Sequence, residues 1–192
     1  MRVPIFLLTF MAVTAPAAAQ AGPSAQAVFA GGCFWCTESD FDKIPGVLST
    51  TSGYIGGKVV NPTYKQVSAG GTGHIEAVKV VYDPKKISYS ALVSRFFRTI
   101  DPLDAGGQFC DRGYQYRSAI FVVDAEQRRL AAAAAASVSA RFRKRVATLL
   151  LPAATFYPAE AYHQDYYKKN PVRYRFYRTT CGRDARLKAV WR

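Results

Sequence analysis

The chain has 192 residues, with 26 Lys and Arg against 13 Asp and Glu for a net charge of +13, and 49% of its residues are hydrophobic. That length suits one domain with a sizeable core, and no convincing linker divides it, so a multidomain arrangement is set aside. The basic balance fits nucleic acid, an anionic membrane surface or acidic protein partners equally well and selects none of them.

At the N-terminus, MRVPIFLLTFMAVTAPAAAQ carries one cation at Arg2, an apolar run over 3–13 and a small-residue step at Ala17, Ala18 and Ala19. This is the pattern of a secretory signal peptide, which assigns 1–19 to the signal and 20–192 to the mature domain. The run is shorter than the ~18 to 20 residues a bilayer requires, and no later segment is longer. No membrane span is expected. The mature protein is expected to be secreted, in the periplasm or another extracytoplasmic space, where its four cysteines are free to form disulfides.

The apolar run 26–30 ends in Gly31-Gly32 and reads as a strand entering a sharp turn. From Cys33, apolar residues at Phe34, Cys36 and Phe41 recur at roughly helical spacing until Pro45-Gly46 stops them, which puts Cys33 at a helix N-terminus. Segments 47–54 and 76–82 alternate and are rich in β-branched residues, so they read as strands; the long Gly- and Pro-punctuated stretch between them is expected to be functional. A helix with Ser88 as its N-cap is expected over 88–100, a strand over 118–123, and an alanine-rich helix capped by Asp124. After Pro152 the chain turns aromatic and basic. Such a tail is able to stack on single-stranded nucleic acid, but it matches no nucleic-acid module and reads better as an aromatic wrap over the core, so no nucleic-acid partner is expected.

The pair Cys33-Phe-Trp-Cys36 is open to three readings: a redox couple, half of a metal site or a structural staple. Zinc is disfavoured because Cys110 and Cys181 are isolated and His74 and His163 lack ligand spacing, so no metal is expected. A thiol is a nucleophile only as the thiolate, and a helix N-terminus favours that form, which suits Cys33. Phe34 and Trp35, directly after a nucleophile, are placed to wall a pocket for a small apolar group such as the methyl of a methionine side chain.

At this point GGCFWCTE (31–38) resembles the active-site motif of A-type peptide-methionine sulfoxide reductases. The likeness continues in order through PGV (45–47), SGYIGG (52–57), NPTY (61–64), TGHIEAVKVVYDP (72–84), DRGYQYRSAIF (111–121) and HQDYYKKNP (163–171). It implies an α/β two-layer sandwich, a mixed sheet with flanking helices and a ferredoxin-like core. It implies reduction of methionine S-sulfoxide, in proteins or free, by a monomer that needs no metal or organic cofactor and is recycled by an external dithiol of thioredoxin type. Matched residue by residue, Cys33 is the nucleophile, Glu76 the acid, Tyr64 and Tyr116 the phenols facing the sulfoxide oxygen, Asp111 an accessory carboxylate, and Phe34 and Trp35 the methyl pocket.

The chemistry asks for the same groups. A sulfoxide oxygen leaves poorly until protonated, so a carboxylic acid kept neutral near pH 7 is needed, and Glu76 lies in an otherwise apolar strand. Cys36 stands where many members of the family have Gly, and the Gly-rich C-terminal tail that carries their recycling cysteines is missing. The resolving thiol is therefore Cys36 or Cys181. Cys36 is nearest in space to Cys33 if both lie at a helix start, and Cys110 and Cys181 are then expected to pair as a structural disulfide. Two other functions remain open: a thiol–disulfide oxidoreductase working through Cys33 and Cys36, and a basic binding protein using the aromatic tail.

Overall fold

The computed structural model describes residues 24–192, so the signal-peptide expectation for 1–19 lies outside it. Strand β1 (Ala25–Gly31) runs into helix α1 (Phe34–Phe41) through Gly32 and Cys33. Gly32 has a φ of +82°, and a Cβ built there would lie 2.7 Å from the Cβ of Gln108. Any side chain at this position is therefore excluded twice, by the backbone and by the neighbour.

Strands β2 (Val47–Ile55) and β3 (Ile75–Tyr82) match the two expected segments. The stretch between them holds one short helix, α2 (Tyr64–Ser68), started by a reciprocal capping box between Thr63 and Gln66. Ser88 caps helix α3 (Tyr89–Arg98) by accepting the Ala91 N–H. Two short strands, β4 (Gly107–Gln108) and β5 (Asp111–Arg112), pair with each other, and a 3-10 turn over Tyr114–Tyr116 leads into β6 (Ser118–Val122). Asp124 caps helix α4 (Ala125–Phe142) by accepting the Gln127 N–H. Then come β7 (Leu149–Pro152), β8 (Phe156–Pro158) and three helices, α5 (Tyr166–Lys169), α6 (Pro171–Thr180) and α7 (Arg183–Val190).

The main sheet has the order β7-β6-β1-β3-β2-β8, and only β6 and β7 run parallel as neighbours. Its four inner strands together with α1 and α3 form the ferredoxin-like β-α-β-β-α-β unit, with antiparallel strand order β6-β1-β3-β2. β7 and β8 widen that unit on either side.

Alternation along β1 fills both faces. Ala27 and Phe29 join the larger cluster, where Phe41 of α1, Leu92 and Phe96 of α3 and Ala131 of α4 pack on the sheet. Val28 and Ala30 join a smaller cluster on the other face with Ile75, Ala119 and Phe121. Phe29 is the centre of the first, stacked between Phe41 at 4.8 Å and Phe96 at 5.1 Å. Burial of an aromatic side chain of this kind is worth about 1.5 to 3 kcal/mol. The C-terminal end of β1 and the N-terminal end of β3 thus lie at the same edge of the layer, and the motif residues gather there.

Candidate active site

Cys33 is the N-cap of α1, with no side-chain cap of its own. A helix start leaves backbone donors without intrahelical partners, and here a carboxyl takes one of them. The Phe34 N–H donates to Glu76 Oε2 at 3.0 Å, and Asp111 lies beside Cys33 on the cavity. The elbow therefore draws a residue of β3 and a residue of β5 onto the nucleophile candidate.

A cavity of about 60 Å³ opens at this point, lined by Cys33, Glu76, Asp111 and the phenols of Tyr64 and Tyr116, with Phe34 and Trp35 as its apolar wall. Every residue that the sequence nominated for catalysis or substrate binding lies on this cavity. Glu76 is only 2% exposed, and burial is the main cause that pushes its carboxyl up to about 8, with the Asp111 and Cys36 charges adding and the Phe34 N–H opposing. Glu76 therefore faces the interior rather than the solvent side of its strand. Burial and the neighbouring Glu76 charge push Tyr64 up to about 12 and raise Tyr116 as well, so both phenols are donors. Burial also raises Asp111, against the bond it accepts from Tyr177.

The aromatic tail is a wrap, as expected, and parts of it reach the site. Tyr166 stacks on Trp35 with centroids 3.7 Å apart and planes 6° from parallel, and Tyr177 meets Trp35 edge-on. Trp35 Nε1 donates to His163 Nδ1 at 2.9 Å; burial lowers His163 to about 4, so the ring is neutral and carries its proton on Nε2. Glu160 accepts from the Tyr64 N–H and from the Tyr54 hydroxyl, which fixes the start of α2. Tyr177 lines the cavity and donates its hydroxyl to Asp111. Tyr177, His163, Tyr166 and Glu160 were missed as site residues: the density of aromatics in the tail was visible, but not which of them turn inward.

Cys36 lies beside Cys33 and both are buried free thiols. Here the expectation drawn from the helix N-terminus alone does not hold. Burial pushes the Cys33 thiol up, and its hydrogen bond to Cys36 and the Glu76 and Asp111 charges push the same way. Cys36 instead comes down to about 7, chiefly through the bond from Cys33, against burial and with help from Arg183 and Arg178. Of the two thiols, Cys36 is the one whose ionised form is favoured. Cys110 and Cys181 form a disulfide across 71 positions with Cα atoms 5.0 Å apart, so Cys181 is paired away from Cys33. His74 accepts from the Gly57 N–H and meets the Val59 carbonyl, a structural position.

The family model for peptide methionine sulfoxide reductase matches residues 25–192. A relative from Caulobacter vibrioides, "Peptide methionine sulfoxide reductase MsrA 2", is 52% identical over 96% of this chain and 93% of its own length. Among solved structures, Mxr1 from Saccharomyces cerevisiae in reduced form is 32% identical with a TM-score of 0.74, covering 78% of this chain and 87% of that one. Methionine sulfoxide reductase A of Corynebacterium diphtheriae is 35% identical with a TM-score of 0.69, over 78% and 76% of the two chains. A match that runs from the first residue of β1 to the last residue of the chain, shared with relatives of nearly equal length, makes this protein a member of the peptide methionine sulfoxide reductase family, oxidoreductases that return methionine sulfoxide to methionine.

Proposed function

We propose that residues 20–192 act as one catalytic domain, in monomeric form, that reduces the S epimer of methionine sulfoxide, protein-bound or free, with Cys33 as nucleophile. The observation that carries this reading is the opposition of Cys33 to a buried, largely protonated Glu76 across a cavity of about 60 Å³. The substrate methyl lies against Phe34 and Trp35, and its oxygen points to Glu76, Tyr64 and Tyr116. Cys33, its proton passed to the Cys36 thiolate, attacks the sulfur, Glu76 protonates the oxygen, and the hydroxyl passes to the Cys33 sulfur as methionine departs, leaving a sulfenic acid on Cys33. Three different walls around one sulfur accept only one of its two configurations, and the family resemblance assigns the S form.

Cys36 then condenses with the sulfenic acid, since it is the free thiol three residues from Cys33 at the start of α1 and Cys181 is bonded to Cys110. An external dithiol of thioredoxin type reduces the resulting disulfide. No metal or organic cofactor enters the sequence of steps. The thiol–disulfide oxidoreductase alternative is weakened by the narrow cavity, which fits a methyl thioether better than a protein disulfide. Export to the periplasm rests on the pattern of 1–19 and is supported by the Cys110–Cys181 bond, since such bonds persist in oxidising compartments.

The deciding experiment is dithiothreitol-dependent turnover of the separated S and R epimers by the wild type and by Cys33→Ser. Turnover of the S epimer alone, abolished in Cys33→Ser, is expected. Equal use of both epimers, or near-wild-type activity without Cys33, would sink the assignment.

A further inference from the structure

Arg183, the first residue of α7, is 1% exposed, as buried as the aromatic core although its guanidinium is permanently charged. Nη1 donates to the Gly31 carbonyl at 3.0 Å and Nη2 to the Thr99 carbonyl at 2.7 Å, and the plane lies over the Phe109 ring at 4.6 Å. Its nearest carboxylate, Asp40, forms an ion pair at 3.6 Å without a hydrogen bond, and its Nε has no hydrogen-bond partner. Asp111 and Asp184 also lie within its field. Asp40 is one turn after Cys36 on the same face of α1, so the guanidinium that meets Asp40 and the Gly31 carbonyl also faces the Cys36 sulfur, itself 2% exposed.

The segment that carries Arg183 is fastened at the same place. Cys181 lies two positions before it, Phe109 directly precedes Cys110, and the Cys110–Cys181 disulfide joins the two, with the Cys110 N–H on Cys181 Sγ at 3.1 Å. Gly31, which receives the guanidinium, is two positions before Cys33. One covalent bond thus holds an arginine against the elbow that carries both free thiols.

We propose that Arg183 is a positioning residue for the recycling half of the reaction: anchored at Gly31 by the Cys110–Cys181 bridge, it balances the negative charge of the Cys36 sulfur that attacks the Cys33 sulfenic acid. This rests on the reading in which Cys36 resolves Cys33. In the step, Glu76, left as a carboxylate by the first half, takes the Cys36 proton, the Cys36 sulfur forms the S–S bond, the S–O bond of Cys33 breaks, and the departing hydroxide receives that proton to leave as water. Cys36 is oxidised and the sulfenic sulfur reduced, so no further reagent is needed. The charged and titratable groups acting with or on Cys36 are Cys33, Arg183, Arg178, Asp40, Glu76 and Tyr174; among them Arg183 alone reaches the Gly31 carbonyl.

Two measurements test it. In a Cys33→Ser background Cys36 is the sole titrating thiol, and its ultraviolet thiolate absorbance against pH is expected to move up by about one unit in Arg183→Met, with Arg183→Lys restoring part of the shift. With Cys33 intact, one equivalent of methionine sulfoxide is expected to give Arg183→Met an unchanged burst of methionine but closure of the Cys33–Cys36 disulfide slowed about tenfold near neutral pH, the thiolate fraction that one unit removes. An unmoved titration, or a burst lost together with closure, overturns the proposal. If Arg183→Met fails to fold, Cys110→Ser/Cys181→Ser takes its place, with the cation kept but unfastened: slowed closure with an intact burst supports the proposal, and wild-type closure overturns it. A wild type that forms no Cys33–Cys36 disulfide overturns the resolving reading and this inference together, and a thiolate titration still shifted by Arg183 then tells that failure from the first.

Discussion

Phe34 donates its backbone N–H to the Glu76 carboxyl at 3.0 Å, so the residue next to the proposed nucleophile holds the proposed acid by its main chain, 42 positions away. That bond opposes burial, which otherwise dominates and leaves Glu76 pushed up to about 8. The acid is thus oriented by a donor yet still protonated at neutral pH.

Glu76→Gln keeps an acceptor for Phe34 but supplies no acidic proton. Single-turnover formation of methionine is expected to fall by about 10² to 10⁴, the range for a lost general acid. In the wild type the same rate should decline as pH rises through about 8, where Glu76 loses its proton. That limb should vanish in the variant, and an identical pH profile in both would remove Glu76 from the mechanism.

The same group sets a stability difference. Its folded value of about 8 lies above an unfolded value near 4.3, so between them the folded protein holds a proton that the unfolded chain has released, and stability falls as pH rises across that window. Glu76→Gln has no such proton to lose. Its Tm relative to wild type should therefore climb from pH 5 to pH 8, as read by thermal denaturation at each pH.

Tyr64→Phe and Tyr116→Phe each remove one donor to the oxygen while the other remains. Each is expected to cost about tenfold in kcat/KM, less than the ~10² to 10³ of a sole oxyanion donor because the other phenol remains, and the double variant more than ~10². A double variant no worse than the singles would show that only one phenol reaches the oxygen.

Removal of the bridge by Cys110→Ser/Cys181→Ser releases a loop of 71 positions in the unfolded chain. The chain-entropy argument gives a loss of about 4 kcal/mol of unfolding free energy, measured by denaturant titration. Peptide mapping of the oxidised wild type should show this bond before any substrate is added and a Cys33–Cys36 bond only afterwards.

The strands and capped helices were legible in the chain because their signals are local: alternation in β2 and β3, Ser88 and Asp124 as caps, Gly32 at the elbow. The residues that line the cavity were legible through their ordered motifs. The charge distribution in the thiol pair was not, because it depends on Arg183 and Arg178, about 150 positions from Cys36, and on carboxyls brought in by β3 and β5. β8 escaped notice since three residues carry no period, and it forms only because β2 offers it an edge at Gly53 to Ile55. Tyr177 escaped for another reason: one of twelve tyrosines, it is singled out only by where α6 places it.

Strand β1 enters the sheet at Ala25 and reaches the elbow at Gly31, a path of seven residues or roughly 20 Å. Anything joined ahead of Ala25 therefore attaches at the end of the sheet remote from the cavity. A tether placed there, to a resin, an electrode or a carrier protein, leaves the opening turned toward the solution, which recommends the N-terminal side for building an immobilised repair catalyst or a sensor for oxidised methionine.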